Sequence, residues 1–536
     1  MDSYRRIMAR WVVLFSALCL LVVFLGGCRS SDAVPPNTLR LALEQEPSTL
    51  DPAKSSTLPE SIVELAVFEG LTRLNDKDLP EPAMAQSWSI SADGLVYTFH
   101  LRPDATWSDG VPVTAHDFEY AWKRVLNPQT AAGNAYMLYV LKNGEAYNTE
   151  KATAQEVGVK ALDDHTLQVV LEAPAPYFLG LTAFHAYYPV RQDIVEKAPH
   201  TWATKADTLI GNGPFVLTKW IHSGELNFVK NERYWDAGAV KLAAMDWPIS
   251  ESQSTRLTLA EGGAVDMMVE PPVLDQKRLT EAGLFKVSPS LGTYYYVFNV
   301  TAPPFDDPRV RKAFSLVIDR QVIVDTIVHG GKTPAYAFVP PGLMDEQSKV
   351  DFRQAGGDLV SHDVSAAKAL LKEAGYGPNK PLPKVTILYN TNELHKAIAE
   401  AVQAIWKNEL GADVELQNQE TKVFMSNREE GHYQVARASW VGDYVDPQTF
   451  LDVFSDEAND AQYHSAAYND IMARVHNTTN PVVRQQLMHE AEQMLFDDAV
   501  VIPIYFTTTP YVANDSIGGY FWSSLGIVDF KTAYRK

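Results

Sequence analysis

Two rhythms share most of this chain, an alternation of apolar and polar residues in short runs and apolar positions three and four apart in longer ones. In LVYTFHLR, residues 95–102, the alternation follows the turn dipeptide Asp93-Gly94 and predicts a strand. Thr114 then stands as N-cap to AHDFEYAWKRVL, with Asp117 in the capping-box position and Asn127-Pro128 as the stop. DDPRVRKAFSLVIDRQVIVDTIVHGG predicts another helix, opened by Asp307 and Pro308 and closed on Gly330-Gly331. DVSAAKALLKEAG, residues 363–375, predicts a further capped helix.

The next segment is the most regular. KVTILYN alternates as a strand, ELHKAIAEAVQAIWKNELG is a helix ending on Gly411, and ADVELQNQ is the following strand. Strand, helix and strand with short joints predict a right-handed crossover and a parallel sheet. YQVARASW, residues 433–440, adds a strand; Asn480-Pro481 opens a helix through Leu495; VVIPIYF returns to a sheet. The fold class is therefore α/β from about residue 380 onward, with α+β portions before it. No internal repeat is visible.

A length of 536 residues exceeds one compact core and predicts two to four domains. The net charge of −20 disfavours nucleic acid, whose phosphates need clustered Lys and Arg. Arg5, Arg6 and Arg10 precede the apolar run WVVLFSALCLLVVFLGG, and RSSDAVPPNT follows Cys28, the anatomy of an export signal and a tether. A run of that length could also span a bilayer uncleaved, but Gly26 and Gly27 directly before Cys28 favour cleavage and lipidation. Cleavage before Cys28 would remove Cys19 with the signal, 1–27, and leave Cys28 alone. The exported part would then have no disulfide and no free thiol.

Motifs for covalent or metal chemistry are missing. MHEAEQ lacks the second His of a zinc helix, and there is no GxSxG elbow and no phosphate loop. GNGPF, residues 211–215, lacks the third glycine of a dinucleotide fingerprint and predicts a tight turn. Aromatic residues are abundant instead, with 24 Tyr, 22 Phe and 11 Trp, and Tyr294, Tyr295 and Tyr296 form a strand-like run with alternating faces. Most of these are core, and a surplus suits a large cleft with planar walls.

One stretch invites a site. RASWVGDYVDP, residues 437–447, places Arg437, Ser439, Trp440, Val441 and Asp443 where a strand ends, and His395 lies just beyond the end of another. Ligands of open α/β sheets bind beyond the carboxyl ends of strands. The competing reading is a solvated Arg437–Asp443 ion pair beside a core Trp.

YTFHLRPDATWSDGVPVTAHDFEYAWKRVLNP, residues 97–128, resembles the signature region of family 5 extracellular solute-binding proteins. The resemblance continues through QEPSTLDPAK, FEGLTRL, IGNGPFVLTKW, YYYVFNVTAPPFDDPRVRKAFSLVIDR and RASWVGDYVDPQTFL, in order and over essentially the whole chain after the tether. It implies a three-domain, two-lobed periplasmic-binding-protein-like fold of class II (cluster C), with a hinge and a discontinuous first lobe. The expected division is signal peptide 1–27, tether 28–37, first lobe 38–68, 190–291 and 508–536, extra domain 69–189, and second lobe 292–507. The implied function is capture of short, extended peptides for an ABC importer, without enzymatic activity, cofactor or metal. The implied protein is a monomer outside the cytoplasm, in the periplasm or at the extracytoplasmic face of a membrane. Lipid on Cys28 would hold it to the membrane and permease subunits would be its partners. A murein peptide or another small cationic solute is the alternative ligand.

By the same resemblance Asp443 takes the peptide's α-ammonium, Arg437 and His395 its carboxylate, and Trp440 and Tyr295 stand as cleft aromatics. Ser439, Val441 and Leu58 supply backbone beside the ligand. The chain departs from relatives at Val441 and Gly292, where they carry a disulfide pair. It also departs at Thr421, where they have a pocket Trp, and at Ser56 and Val297, which replace two cleft acids.

Overall fold

The computed structural model describes residues 37–344, 350–455 and 459–536. The predicted signal peptide and Cys28 lie outside the described residues. A mixed sheet runs through the molecule. In spatial order its strands are Val414–Gln419, Val385–Asn390, Val435–Val441, Phe285–Phe298, Val501–Ala513, Met267–Val269, Thr38–Ala42, Ala244–Pro248, Glu225–Lys230 and Phe215–Ile221, and the short Thr333–Pro334 also pairs with Val501–Ala513.

The two central strands are the long ones. Phe285–Phe298 and Val501–Ala513 pair antiparallel from Phe285↔Val512 to Val297↔Val501, with a register break between Pro289↔Thr508 and Thr293↔Phe506. Pro289 removes a ladder donor at that point, which suits a break in pairing. On one side of the break the pair carries the parallel strands Val385–Asn390 and Val414–Gln419. On the other it carries Met267–Val269, whose neighbour Thr38–Ala42 runs parallel to it. The result is two lobes sharing one sheet, an α/β architecture with α+β portions.

A separate antiparallel sheet, Ala85–Ile90, Val96–Leu101, Thr166–Val170 and Val159–Asp163, packs under the helix Ala115–Leu126. That helix begins where predicted: Thr114 N–H donates to Asp117 Oδ2 at 2.8 Å. Phe118, Trp122 and Val125 form its buried stripe. The predicted strand–helix–strand unit is present as Val385–Asn390, Glu393–Leu410 and Val414–Gln419, with Gly411 in the left-handed region at φ 67°.

Three sequence expectations change. The helix expected from Asp307 to Gly330 is broken into Pro308–Leu316, Arg320–Ile323 and a π-turn, Val324–Val328. Asp319 restarts it by accepting from Val322 N at 3.1 Å, a cap hidden inside an apolar run. GNGPF is governed by close approach rather than by turn geometry, since a Cβ on Gly213 would strike Val67 and Phe68 backbone at 2.6 Å. Val297, expected to line a cleft, is 1% exposed and packs in the core.

Strands Phe285–Phe298 and Val435–Val441 separate two cores. Tyr294, Tyr296 and Val435 face one, with Ile387, Ile398 and Trp406. Tyr295, Val297, Ala436 and Ala438 face the other, with Phe338, Phe450 and Leu495. Successive strand residues point to opposite faces, so this division follows from pleating.

Candidate functional site

Strand Val435–Val441 pairs with Phe285–Phe298 along its whole length, Val435↔Phe298 to Val441↔Gly292. On its other edge it meets Val385–Asn390 only at Ile387↔Val435 and Leu388↔Ala436. From Arg437 to Val441 that edge therefore has no strand partner among the described residues. An unpaired edge is a template for a further extended chain.

Basic groups gather at the start of the free edge. Arg437 Nη1 lies 3.5 Å from Asn390 Oδ1, Nη2 donates to Ser439 Oγ at 3.2 Å, and the guanidinium sits 5.0 Å from the Tyr294 ring centre. The Tyr294 hydroxyl is 3.4 Å from Nδ1 of His395, which Asn392 holds in the first helical turn through its backbone N–H at 3.1 Å. Burial, with Arg437 as a second cause, pushes His395 down to about 4, so the ring is neutral at pH 7. Arg437 Nε is buried without a hydrogen-bond partner among the described residues. Such an orphaned donor needs an explanation, and an incoming acceptor supplies one.

The acid stands at the other end. Asp443 lies two residues past the strand, its backbone N–H donating to Thr449 Oγ1 at 3.1 Å. Tyr136, from the turn Ala135–Leu138, donates its hydroxyl proton to Asp443 Oδ1 at 3.2 Å. Burial raises the Asp443 carboxyl to about 6, against the opposing pull of the Tyr136 hydrogen bond. No ion pair joins Asp443 to Arg437 or to any other cation among the described residues. The exposed-pair reading of these two residues thus fails on geometry: each faces its own surroundings.

A cavity of about 820 Å3 opens beside Asp443, walled by Tyr136, Trp440, Tyr444, Arg428 and Asp460 among others. Trp440 Nε1 is buried and lacks a hydrogen-bond partner among the described residues. Arg428 Nε pairs with Asp460 at 2.9 Å across its floor. Tyr444 stacks on Tyr177, ring centres 4.1 Å apart, tying the small-sheet domain to the end of the strand.

The expected site residues divide by face. Arg437, Ser439, Val441 and His395 share the side of Tyr294, with Val441 47% exposed. Trp440 shares the opposite side with Tyr295, which is 2% exposed and packs edge-on against Phe338 at 4.9 Å. Tyr294, not Tyr295, is therefore the tyrosine brought to Arg437 and His395. Leu58 opens the helix Leu58–Val67 and lies near Gly526. Ser56 and Thr421 are exposed. Sequence reasoning missed Tyr136 and Arg428. Nothing local marks either one, because both meet the site only through tertiary contacts.

Among the described residues no cluster of His, Cys, Asp or Glu is placed to hold a metal ion, and no helix is long and apolar enough to cross a membrane.

The sequence profile of bacterial extracellular solute-binding proteins, family 5 Middle, matches residues 80–462. The dipeptide-binding protein DppE of Bacillus subtilis is 38% identical over 91% of this chain and 90% of its own. The periplasmic murein peptide-binding protein MppA of Escherichia coli is 40% identical over 89% of each chain. The Haemophilus influenzae OppA structure in complex with the peptide RPPGFSPFR superposes with a TM-score of 0.73 at 33% identity, covering 93% of this chain and 99% of that one. An unpaired strand edge with an acid at one end and a base at the other is thus set in a scaffold shared across these proteins, and the chain belongs to the family 5 bacterial extracellular solute-binding proteins.

Proposed function

We propose that this protein captures short peptides outside the cytoplasm and hands them intact to an ABC permease. The observation that carries this is the free edge from Arg437 to Val441, with Asp443 beyond one end and Arg437 with His395 at the other. A peptide running antiparallel to that edge would set its ammonium on Asp443 and Tyr136 and its carboxylate on Arg437. The six residue steps from Arg437 to Asp443 span at most about 20 Å. Arginine and aspartate side chains reach inward over several ångström of this, leaving the length of an extended tripeptide or tetrapeptide.

Backbone pairing makes such binding tolerant of sequence, and the cavity beneath Trp440 accommodates a side chain. Desolvation of Asp443 makes it selective for a cation: a buried carboxylate without a counter-charge costs several kcal/mol, in the range of about 3–5 kcal/mol when a partner is removed. Titration calorimetry of ligand-free protein with trialanine and with N-acetyl-trialanine tests the reading. Binding of the first and not the second is expected; equal binding of both would remove Asp443 from the ammonium's path.

The likeness to MppA supports a second reading of the ligand, a murein peptide held at the same site with a further carboxylate near Arg437. Titration with murein tripeptide in competition with trialanine separates the two. The LGGC junction supports lipidation at Cys28 as the means of membrane attachment. Mass spectrometry of the mature N-terminus, with Cys28→Ala as control, checks it.

A further inference from the structure

The backbone leading into the helix Leu58–Val67 is held from behind by a chain of side-chain hydrogen bonds. Asn134 Nδ2 donates to the Ser55 carbonyl at 2.9 Å and lies 3.0 Å from His185 Nε2. His185 Nδ1 lies 3.2 Å from Ser61 Oγ, and Ser61 Oγ donates to the Thr57 carbonyl at 3.3 Å. One arrangement of protons gives every donor an acceptor. The Asn134 amide donates to both Ser55 O and His185 Nε2, the imidazole carries its proton on Nδ1, and Ser61 passes its own to Thr57 O. His185 is 5% exposed, and burial pushes it down to about 4, keeping it neutral.

From the opposite side Glu60 grips the same segment. Its carboxylate accepts from Ser56 N at 2.8 Å and Thr57 N at 2.9 Å, and also from Ser48 N and Oγ. The Ser55 and Thr57 carbonyls and the Ser56 and Thr57 N–H groups are thereby all engaged. The Ser56 carbonyl and the Leu58 N–H are left without a protein partner among the described residues. Their neighbours border the proposed ammonium site: Ser61 and His185 line one cavity with Asp443 and Tyr444, Leu58 packs near Gly526 between the lining residues Leu525 and Ile527, and Asn134 is two residues from Tyr136.

We propose that His185, acting with Asn134 and Ser61, is a positioning residue for ligand capture that fixes residues 55–58 so that Ser56 O and Leu58 N–H meet the peptide backbone. His185 touches no ligand in this account. It rests on the peptide reading above. A peptide would then be held between two backbones, the free edge from Arg437 to Val441 and this segment, with the small-sheet domain setting the second.

The test is calorimetry with trialanine and with analogues in which each amide N–H is replaced in turn by an ester oxygen. Wild-type protein should bind at least one ester analogue about tenfold more weakly, the worth of a hydrogen bond. His185→Phe should bind trialanine about tenfold more weakly and show no further loss with that ester. His185→Gln, which keeps one acceptor and a donor, should recover most of the affinity. If His185→Phe loses its cooperative thermal transition, Asn134→Ala is read in the same way. Wild-type affinity in these variants, or an undiminished ester penalty, overturns the inference alone, as does a wild-type protein indifferent to every ester. Failure of wild-type protein to bind trialanine overturns the peptide reading, and this inference with it.

Discussion

The Tyr136 hydroxyl meets Asp443 Oδ1 at 3.2 Å, joining a turn of the small-sheet domain to a carboxylate beyond the end of a strand in the large one. Among the described residues this hydroxyl is the one side-chain donor on a carboxylate that burial has raised to about 6. Two electrostatic consequences follow, one for affinity and one for stability.

Affinity for free-amine peptides should be level between about pH 6 and 7.5 and fall by roughly tenfold per unit below pH 6, because the ammonium requires an ionised Asp443. Stability of the free protein runs the other way. The folded chain holds this proton more tightly than the unfolded one, so acidification from above pH 6 toward 4 adds stability that is absent at pH 7. Calorimetry and thermal melts between pH 7.5 and 4.5 check both slopes, and Asp443→Asn should remove both while losing about a hundredfold in affinity at pH 7.5.

Tyr136→Phe takes away the hydrogen bond that favours the ionised form, so Asp443 should move further up. The pH midpoint for peptide binding then rises, and affinity at pH 7.5 drops by about five- to tenfold. An unmoved midpoint in the same titration would mean that Tyr136 does not act on this carboxylate.

Arg437 is tested through the ligand's other end. Amidating the carboxylate of trialanine should cost wild-type protein about 2 kcal/mol, and Arg437→Gln should bind the acid and the amide alike. His395 offers an independent signal. Its depressed pKa reflects burial first and the neighbouring guanidinium second, so a peptide carboxylate placed between them should raise it. Imidazole shifts followed by NMR across pH 3–7, with and without peptide, report this directly.

Gly292 faces Val441 across the strand pair, and a Cβ at 292 would collide with Thr507 Oγ1. Gly292→Ala should therefore destabilise by about 1–3 kcal/mol, as over-packing does, and Thr507→Gly should relieve most of that in the double variant. A disulfide engineered at 292 and 441 should likewise form well only when Thr507 is also shortened. Denaturant midpoints for the single and double variants decide it.

Local signals carried much of the fold into the sequence. Thr114 with Asp117, Asn480-Pro481 and Gly411 each marked a helix end that the structure keeps, because capping depends on residues three or four apart. Asp319 was not legible, since its apolar neighbours mask a break that arises only when Arg320 is buried against the carbonyls of Pro503 and Ile318. Among candidate site residues, Arg437 and Asp443 could be singled out from one short segment. The face of the strand occupied by Tyr294 rather than Tyr295 could not, because pairing register is set by partners far away in the chain.

The two long strands that pass through both lobes make the joint between them a ribbon rather than a pair of loops. With its register broken between Pro289 and Thr293, that ribbon has a soft spot flanked by stiff, hydrogen-bonded lengths. Any movement of one lobe against the other would then be torsion of a twisted strip, with a rest angle and a restoring force, instead of the free swing of a gate. A ligand bridging the two lobes would work against this spring, and the same twist would then favour its release.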